Sequence, residues 1–191
     1  MAGIGLKYPC FSPFNGEEPA NALPTYGTGI VIGKAVSANA TPNLAEGQLY
    51  ADDAEAESAR DFTSADVSLE TDRLEDKVAV VLYGATLDEE SGELVENADD
   101  TPPWGGLAYY RVLERNGKRM FRARFYPKAR ASIGGESAQT RGESITFSPE
   151  NTNFRIVKPN NGNWRYTYTS DNEQEVIQWI NTKLNITAAG A

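Results

Sequence analysis

Residues 48–72 read QLYADDAEAESARDFTSADVSLETD, and the fold turns on how this stretch divides. Its second half alternates. Thr63, Ala65, Val67 and Leu69 interleave with Ser64, Asp66, Ser68 and Glu70, the period of a strand with one buried face and one wet face. The segment NLAEGQLYA (43–51) reads as the strand before it. Between the two, Asp52, Asp53, Glu55 and Glu57 crowd together, and Arg60 is the only base in the whole stretch. The gap is too long for a tight hairpin, so the spacing predicts an acidic loop over 51–61 joining strands at 43–51 and 62–70.

Outward from this pair, TGIVIGKAVSA (28–38) is β-branched and bounded by glycine, and predicts another strand. Residues 1–27 carry Pro9, Pro13, Pro19 and Pro24 with little periodicity and predict an extended arm. TDRLEDKVAVVLYG (71–84) favours a short helix. Thr71 or Asp72 would cap it, Glu75 and Asp76 suit its first turn, Leu74, Val78, Val81 and Leu82 share a face, and Gly84 would end it. The run VAVVLY alone also fits a strand. ATLDEESGELVEN (85–97) predicts a hairpin around Ser91-Gly92, and GGLAYYRVLERNGKRMFRARFYPKA (105–129) one turning at Asn116-Gly117. ESITFS (143–148), NFRIVK (153–158) and NWRYTYTS (163–170) read as three more strands, the last two joined through Asn161-Gly162. Ser170-Asp171-Asn172-Glu173 matches a capping box. It opens a helix with Val176, Ile177, Ile180 and Leu184 as its apolar stripe and Trp179 at its edge. The expected fold is mainly β: a β-sandwich of two packed sheets with a flanking C-terminal α-helix. The domain would span 28–186, between an N-terminal arm at 1–27 and a tail at 187–191.

The chain has 191 residues, 40% of them hydrophobic, which suits one domain with a buried core. No apolar run approaches the roughly 18 residues needed to cross a membrane. The opening MAGIGLKYPCFSPF lacks the basic-then-apolar pattern of a signal peptide. Synthesis in a cytoplasm, with no membrane anchoring, is expected. Histidine is absent and Cys10 is the only cysteine. The commonest general base and metal ligand are therefore missing. An internal disulfide and a thiolate metal cluster are excluded. With no histidine to activate it, Cys10 reads as an inert buried thiol. The net charge of −9 is unevenly spread. Residues 1–100 hold 20 acids against 5 bases, and residues 101–191 hold 7 acids against 13 bases. Such asymmetry suggests faces of opposite sign, which can pair head-to-tail between copies into rings or filaments.

No motif carries a reaction. GTGIVIG has its glycines at 27, 29 and 33, the wrong spacing for a nucleotide loop, and continues as a strand. The acidic loop lacks the central glycine and terminal glutamate of an EF-hand. Nothing marks a carboxylate pair as buried, as a glycosidase would need. WGGLAYY and NWRYTY read as core packing before they read as a sugar platform. YYRVLERNGKRMFRARFY interleaves bases and aromatics, but the overall negative charge opposes phosphate-driven binding. No catalytic residue, metal ligand or cofactor is expected.

Taken in order, GLKYPCFSPF, PTYGTGIVIGKAV, LYADDAEAESARDFTSADVSLETDRL, NADDTPPWGGLAYYRV, GKRMFRARFYPKA, GESITFSPENTNFRI and NWRYTYTSDNEQEVIQWIN cover nearly the whole chain. In that order and spacing the chain resembles the phage major tail protein family, the tail tube subunits of long-tailed phages. Some relatives append an immunoglobulin-like domain after the terminal helix; here that decoration is expected to be absent. The resemblance implies a structural protein, not an enzyme, located in the virion tail and assembled in the host cytoplasm. It implies a β-sandwich with a flanking helix. Homohexameric rings close their strands into one inner barrel and stack into a tube through which double-stranded DNA passes without stable binding. Implied partners are the tape measure protein and the tail terminator or tail tip proteins. An acidic lumen would keep phosphates off the wall, where a basic one would bind and stall them. On this reading Ser64, Asp66, Ser68 and Glu70 face the lumen, with Glu46 and Gln48 as partners on the preceding strand. Asp52, Asp53, Glu55 and Glu57 would then project toward an adjacent ring or subunit. Arg111, Arg115, Lys118, Arg119, Arg122 and Arg124 would meet those acids or others on a neighbour. The same fold also builds the tubes of injection devices with protein cargo. A monomeric module binding sugar or calcium is the remaining class.

Overall fold

Asn116 and Gly117 both take positive φ, 53° and 74°, the conformation that a two-residue hairpin turn demands. The long hairpin they close is the spine of the molecule. The computed structural model describes residues 2–51, 54–132 and 149–187. The elements are β1 (Ala2–Pro13), β2 (Ile30–Val31), β3 (Ala35–Ala51), β4 (Ala54–Thr71), α1 (Asp76–Tyr83), β5 (Thr86–Leu87), β6 (Leu94–Val95), β7 (Trp104–Arg115), β8 (Lys118–Ser132), β9 (Glu150–Val157), β10 (Tyr166–Ser170) and α2 (Glu173–Leu184). The fold is mainly β. A large antiparallel sheet runs β2-β1-β7-β8-β9-β4-β3 with β10 also on β8, and β5-β6 form a small second sheet.

The large sheet folds over on itself. β8 is shared: residues 121–125 pair with β10, and residues 129–132 pair with β9. β1 and β9 are three strands apart along the sheet, about 14 Å if it were flat. Yet the rings of Phe11 and Phe154 lie 5.9 Å apart. The two layers expected as separate sheets are thus two halves of one curled sheet. Between them lie Phe11, Val67, Leu69, Leu107, Tyr126, Phe154 and Ile156, all buried. The outer side of β7 and β8 carries a second core, Cys10, Ala108, Tyr110, Val112 and Phe125, closed by Val176, Ile180 and Leu184 of α2. Burying each of those helix side chains contributes roughly 1.5–3 kcal/mol. β7 is covered on both faces, which is why GGLAYY reads as an unbroken apolar run.

Several expectations are corrected. Residues 2–13 are no free arm: they form β1, paired with β7 along its length and with β2 at Cys10 and Phe11. The loop that follows is tied down as well. Tyr26 is buried and donates to the Pro127 carbonyl at 2.8 Å, and Lys128 meets Glu18 at 2.5 Å. Prolines there shape the chain without detaching it. The strand expected over 28–38 is broken at Gly33, where a Cβ would stand 2.8 Å from the Arg73 carbonyl oxygen. The acidic loop expected over 51–61 is mostly strand. β3 and β4 stay paired from Ala35↔Thr71 to Ala51↔Ala54. High charge does not forbid a strand, because the ladder is made by backbone groups.

The 71–84 segment does form a helix, but it begins at Asp76 behind Glu75 and ends at Gly84, whose φ is 80°. Thr71 remains in β4, and Asp72 instead accepts the Lys34 amide. The cap of α2 is displaced by two residues. Asn172 accepts the Gln174 amide, and Glu175 accepts the Ser170 hydroxyl at 2.7 Å. The strand expected at 143–148 lies outside the described residues. β9 and β10 are linked through a turn at Gly162 yet pair with other strands rather than each other.

Candidate functional site

β3, β4 and β9 present a face that neither described helix packs on: α2 sits on β1, β7, β8 and β10, and α1 beside β1, β5 and β8. Strand alternation puts Ala65, Val67 and Leu69 in the core and the intervening residues outside. The rungs on the outer side are polar throughout. Thr41, Asp66 and Arg155 share one, Asn39, Ser68 and Asn153 the next, and Ser37, Glu70 and Asn151 the third. Their side chains bond to one another. Asn43 Nδ2 donates to Asp66 Oδ2 at 2.7 Å, and Arg155 Nη1 lies 3.4 Å from Asp66 Oδ1. Ser37 Oγ donates to Glu70 Oε2 at 2.7 Å, and Ser68 Oγ to Asn151 Oδ1 at 3.1 Å. The wall is rich in amides and hydroxyls, with two carboxylates and one guanidinium.

The expected wet face therefore holds at Asp66, Ser68 and Glu70, which are exposed or half-buried. Ser64 shares their side but is buried, accepting from Asn43 Nδ2 at 3.2 Å. Thr63, expected in the core, is exposed. It has no partner on β3: Asn43 pairs with Ser64 and Leu44 with Phe62. That bulge restarts the alternation, so Phe62 rather than Thr63 packs inward. Glu46 and Gln48 are not opposite the wet face. They pair with Arg60 and Ser58, farther along. The true cross-strand partners are Ser37, Asn39, Thr41 and Asn43. Their period-two spacing in SANATPN is plain in the sequence, but Pro42 disguises it as a break.

Beyond Ser64, β4 leaves β9 and pairs with β3 alone. Leu44 to Ala51 and their partners form a two-stranded ribbon reaching roughly 26 Å past the sheet. Its base is clamped. Phe62 stacks on Trp164 at 4.3 Å, Trp164 also leans on Tyr126 at 6.2 Å, and the Arg165 guanidinium lies 4.6 Å over Trp164. Asp52 and Asp53 lie outside the described residues. Glu55 and Glu57 are on β4, in register with Tyr50 and Leu49. β3 itself is the last strand of the sheet, so its outer edge is unpaired over all 17 residues among those described.

The predicted bases divide into two groups. Arg115, Lys118 and Arg119 surround the β7–β8 turn, with Arg115 opposite Lys118 and Glu114 opposite Arg119. Arg111, Arg122 and Arg124 lie along β7 and β8, where Arg111 is opposite Arg122 and Tyr109 opposite Arg124. Arg122 Nε donates to Thr169 Oγ1 at 3.1 Å. Arg124 is half-buried; burial works against its charge, and Tyr126 and Tyr109 outweigh burial and raise its pKa.

Little here resembles a reactive centre. Burial pushes the Cys10 thiol well above its usual range, so it stays a thiol. Burial likewise raises the Tyr109 and Tyr110 hydroxyls. Glu173 is held below the usual carboxylate range by the Tyr110 hydroxyl at 2.5 Å and by Lys7 at 3.0 Å. Asp88 is lowered by the Ser91 hydroxyl and the amides of Glu90 and Ser91. Both carboxyls are thus held ionised, the opposite of what a general acid needs. Among the described residues no group of three acids, cysteines or histidines could hold a metal ion. The aromatic segments considered as a sugar platform are used internally. Tyr109 and Tyr110 are buried, Tyr168 stacks on Trp179 at 5.5 Å, and Lys128 and Arg130 lie over Trp104. No protein-family model matches the chain, and no curated protein is found to be similar to it.

Proposed function

We propose that the chain is the tail tube subunit of a long-tailed phage. Six copies close edge to edge into a ring, rings stack into a hollow tube, and the polar face of β3, β4 and β9 lines the channel. The observation that carries this reading is the unpaired edge of β3. A long bare edge is an aggregation hazard for a protein meant to stay single. Pro42 and the bulge at Asn43–Leu44 interrupt it, but charge guards it little: Glu46 is the only charged residue along it, while Val36 and Leu44 are 55% and 49% exposed. Ile4 and Val31, on the nearby strands β1 and β2, are also exposed. Joining such edges between copies satisfies the backbone and covers these side chains. The resemblance of the sequence supplies the ring number and the cargo.

The wall such a tube would present suits passage rather than binding. Asp66 and Glu70 repel phosphates, Arg155 offsets one of them, and the Ser68 hydroxyl donates to the Asn151 amide. A weakly acidic surface offers DNA no counterion release to gain. The offset by Arg155 also fits a tube with protein cargo, which is the second reading. Sedimentation velocity and negative-stain microscopy on the purified protein test the proposal. Rings or tubes about one hexamer across are expected. A strictly monomeric species at high concentration contradicts it.

A further inference from the structure

The curled sheet does not close on itself. β1 and β3 face each other across a cleft of about 440 Å³ whose floor is the inner side of β7 and β8. No backbone pairing joins β1 to β3 among the described residues. Gly3, Leu6, Val36, Tyr109, Arg111 and Arg124 line this cleft, and among the described residues no aspartate or glutamate does; Glu70 accepts the hydroxyl of Ser37 at its rim. The Arg111 guanidinium lies across Gly3, where a Cβ would come 2.7 Å from Nη2. Arg124 is half-buried beside the hydroxyls of Tyr109 and Tyr126. The two arginines stand on rungs two residues apart, about 7 Å along the strands. Arg111 is exposed and Arg124 half-buried; two guanidinium charges in one recess repel each other, and the partly desolvated one gains most from a partner of opposite sign.

We propose that this cleft is an anion site that receives a carboxylate side chain from a second copy of the chain. The inference rests on the tube reading insofar as it needs copies in contact. Charge complementarity names the occupant. Residues 1–100 of every copy carry 20 acids against 5 bases, and the ribbon extends part of that excess beyond the body. The bared edge of β3 forms one wall of the cleft, so a copy docked on that edge lies at its mouth. A nucleic-acid duplex is the poorer fit. Layers of a folded sheet are only about 10 Å apart, and a molecule of net charge −9 opposes the approach of phosphate.

The test uses the full chain. Sedimentation velocity compares it with Arg111→Gln, Arg111→Lys and the double variant Arg111→Gln/Arg124→Gln at 50 and 300 mM salt. Thermal unfolding shows that each variant is folded. In parallel, the arginine Nε–H signals are followed by NMR during titration with tri-glutamate, inorganic phosphate or a short DNA duplex. Self-association is expected to fall about tenfold for Arg111→Gln at low salt, to be largely kept by Arg111→Lys, and to differ little at high salt where charges are screened. The Arg111 and Arg124 signals are expected to move with tri-glutamate. Undiminished association of folded Arg111→Gln overturns the site while leaving the tube reading standing. Signals that move with phosphate or DNA but not with tri-glutamate overturn the carboxylate assignment. A parent chain that never associates overturns both the second-copy occupant and the tube.

Discussion

Thr63 has no partner across the hairpin, and this one residue decides which side chains share a face. On its C-terminal side the alternation was legible: Asp66, Ser68 and Glu70 turn outward, Val67 and Leu69 inward. On its N-terminal side the register inverts, which no pattern of polarity in the sequence announces. Because Asp66 and Glu70 point away from the core, replacing both with Asn and Gln, or with Lys, should leave assembly intact. The Lys version should slow or arrest DNA ejection, most at low salt, and the neutral version less so. Ejection at the normal rate from well-formed Lys tubes, followed by DNA release in vitro, would refute the role assigned to this face. Gly105 is a different kind of position. A Cβ there would stand 2.3 Å from the Ser12 carbonyl oxygen, so Gly105→Ala should cost roughly 1–3 kcal/mol, measured by urea denaturation. Glu173 sets a pH limit. Its folded pKa is lowered, first by Tyr110 and then by Lys7, from an ordinary value of 4.5. Its contribution is therefore complete above that value and is lost as pH falls through the folded one. Glu173→Gln should flatten the fall of the unfolding midpoint below about pH 4.5.

Among the elements, those built on turn chemistry and periodicity were the readable ones. Asn116-Gly117 fixed the β7–β8 hairpin, and the spacing of Val176, Ile180 and Leu184 fixed α2. What escaped was pairing between distant segments. Residues 2–13 look like an arm because their prolines and glycines mask a strand, and only β7, about a hundred residues later, supplies its partner. The acidic run before Asp61 looks like a loop because residues 51–60 hold no β-branched or aromatic side chain. The two segments should differ in hydrogen exchange. β1, bonded within the sheet, should be protected in the free subunit. The ribbon amides should exchange quickly there and slow at least tenfold on assembly. Equal protection of the ribbon in both states would argue that it touches no neighbour. The edge of β3 offers a sharper lever. Val36→Lys with Leu44→Lys alters exposed side chains only, so the unfolding midpoint should barely move. Edge lysines oppose strand pairing between copies, and sedimentation should then show monomers.

At the scale of the whole molecule, fold class and charge asymmetry were legible from composition and order alone. The closing of one sheet into two layers was not, since it depends on β8 being shared between β10 and β9. That curl leaves the molecule with a polar face, a bare edge and an open seam. The edge and the seam are poor endings for a solitary protein and serviceable joints between copies. On the proposed function, these joints build a tube with Asp66 and Glu70 on its inner wall. Electron cryomicroscopy of the purified, concentrated protein tests it most directly. The account predicts hollow tubes of stacked sixfold rings, β3 paired with a neighbouring copy, and both carboxylates facing the channel. A field of single subunits, or a tube with Asp66 and Glu70 on its outer surface, would contradict it.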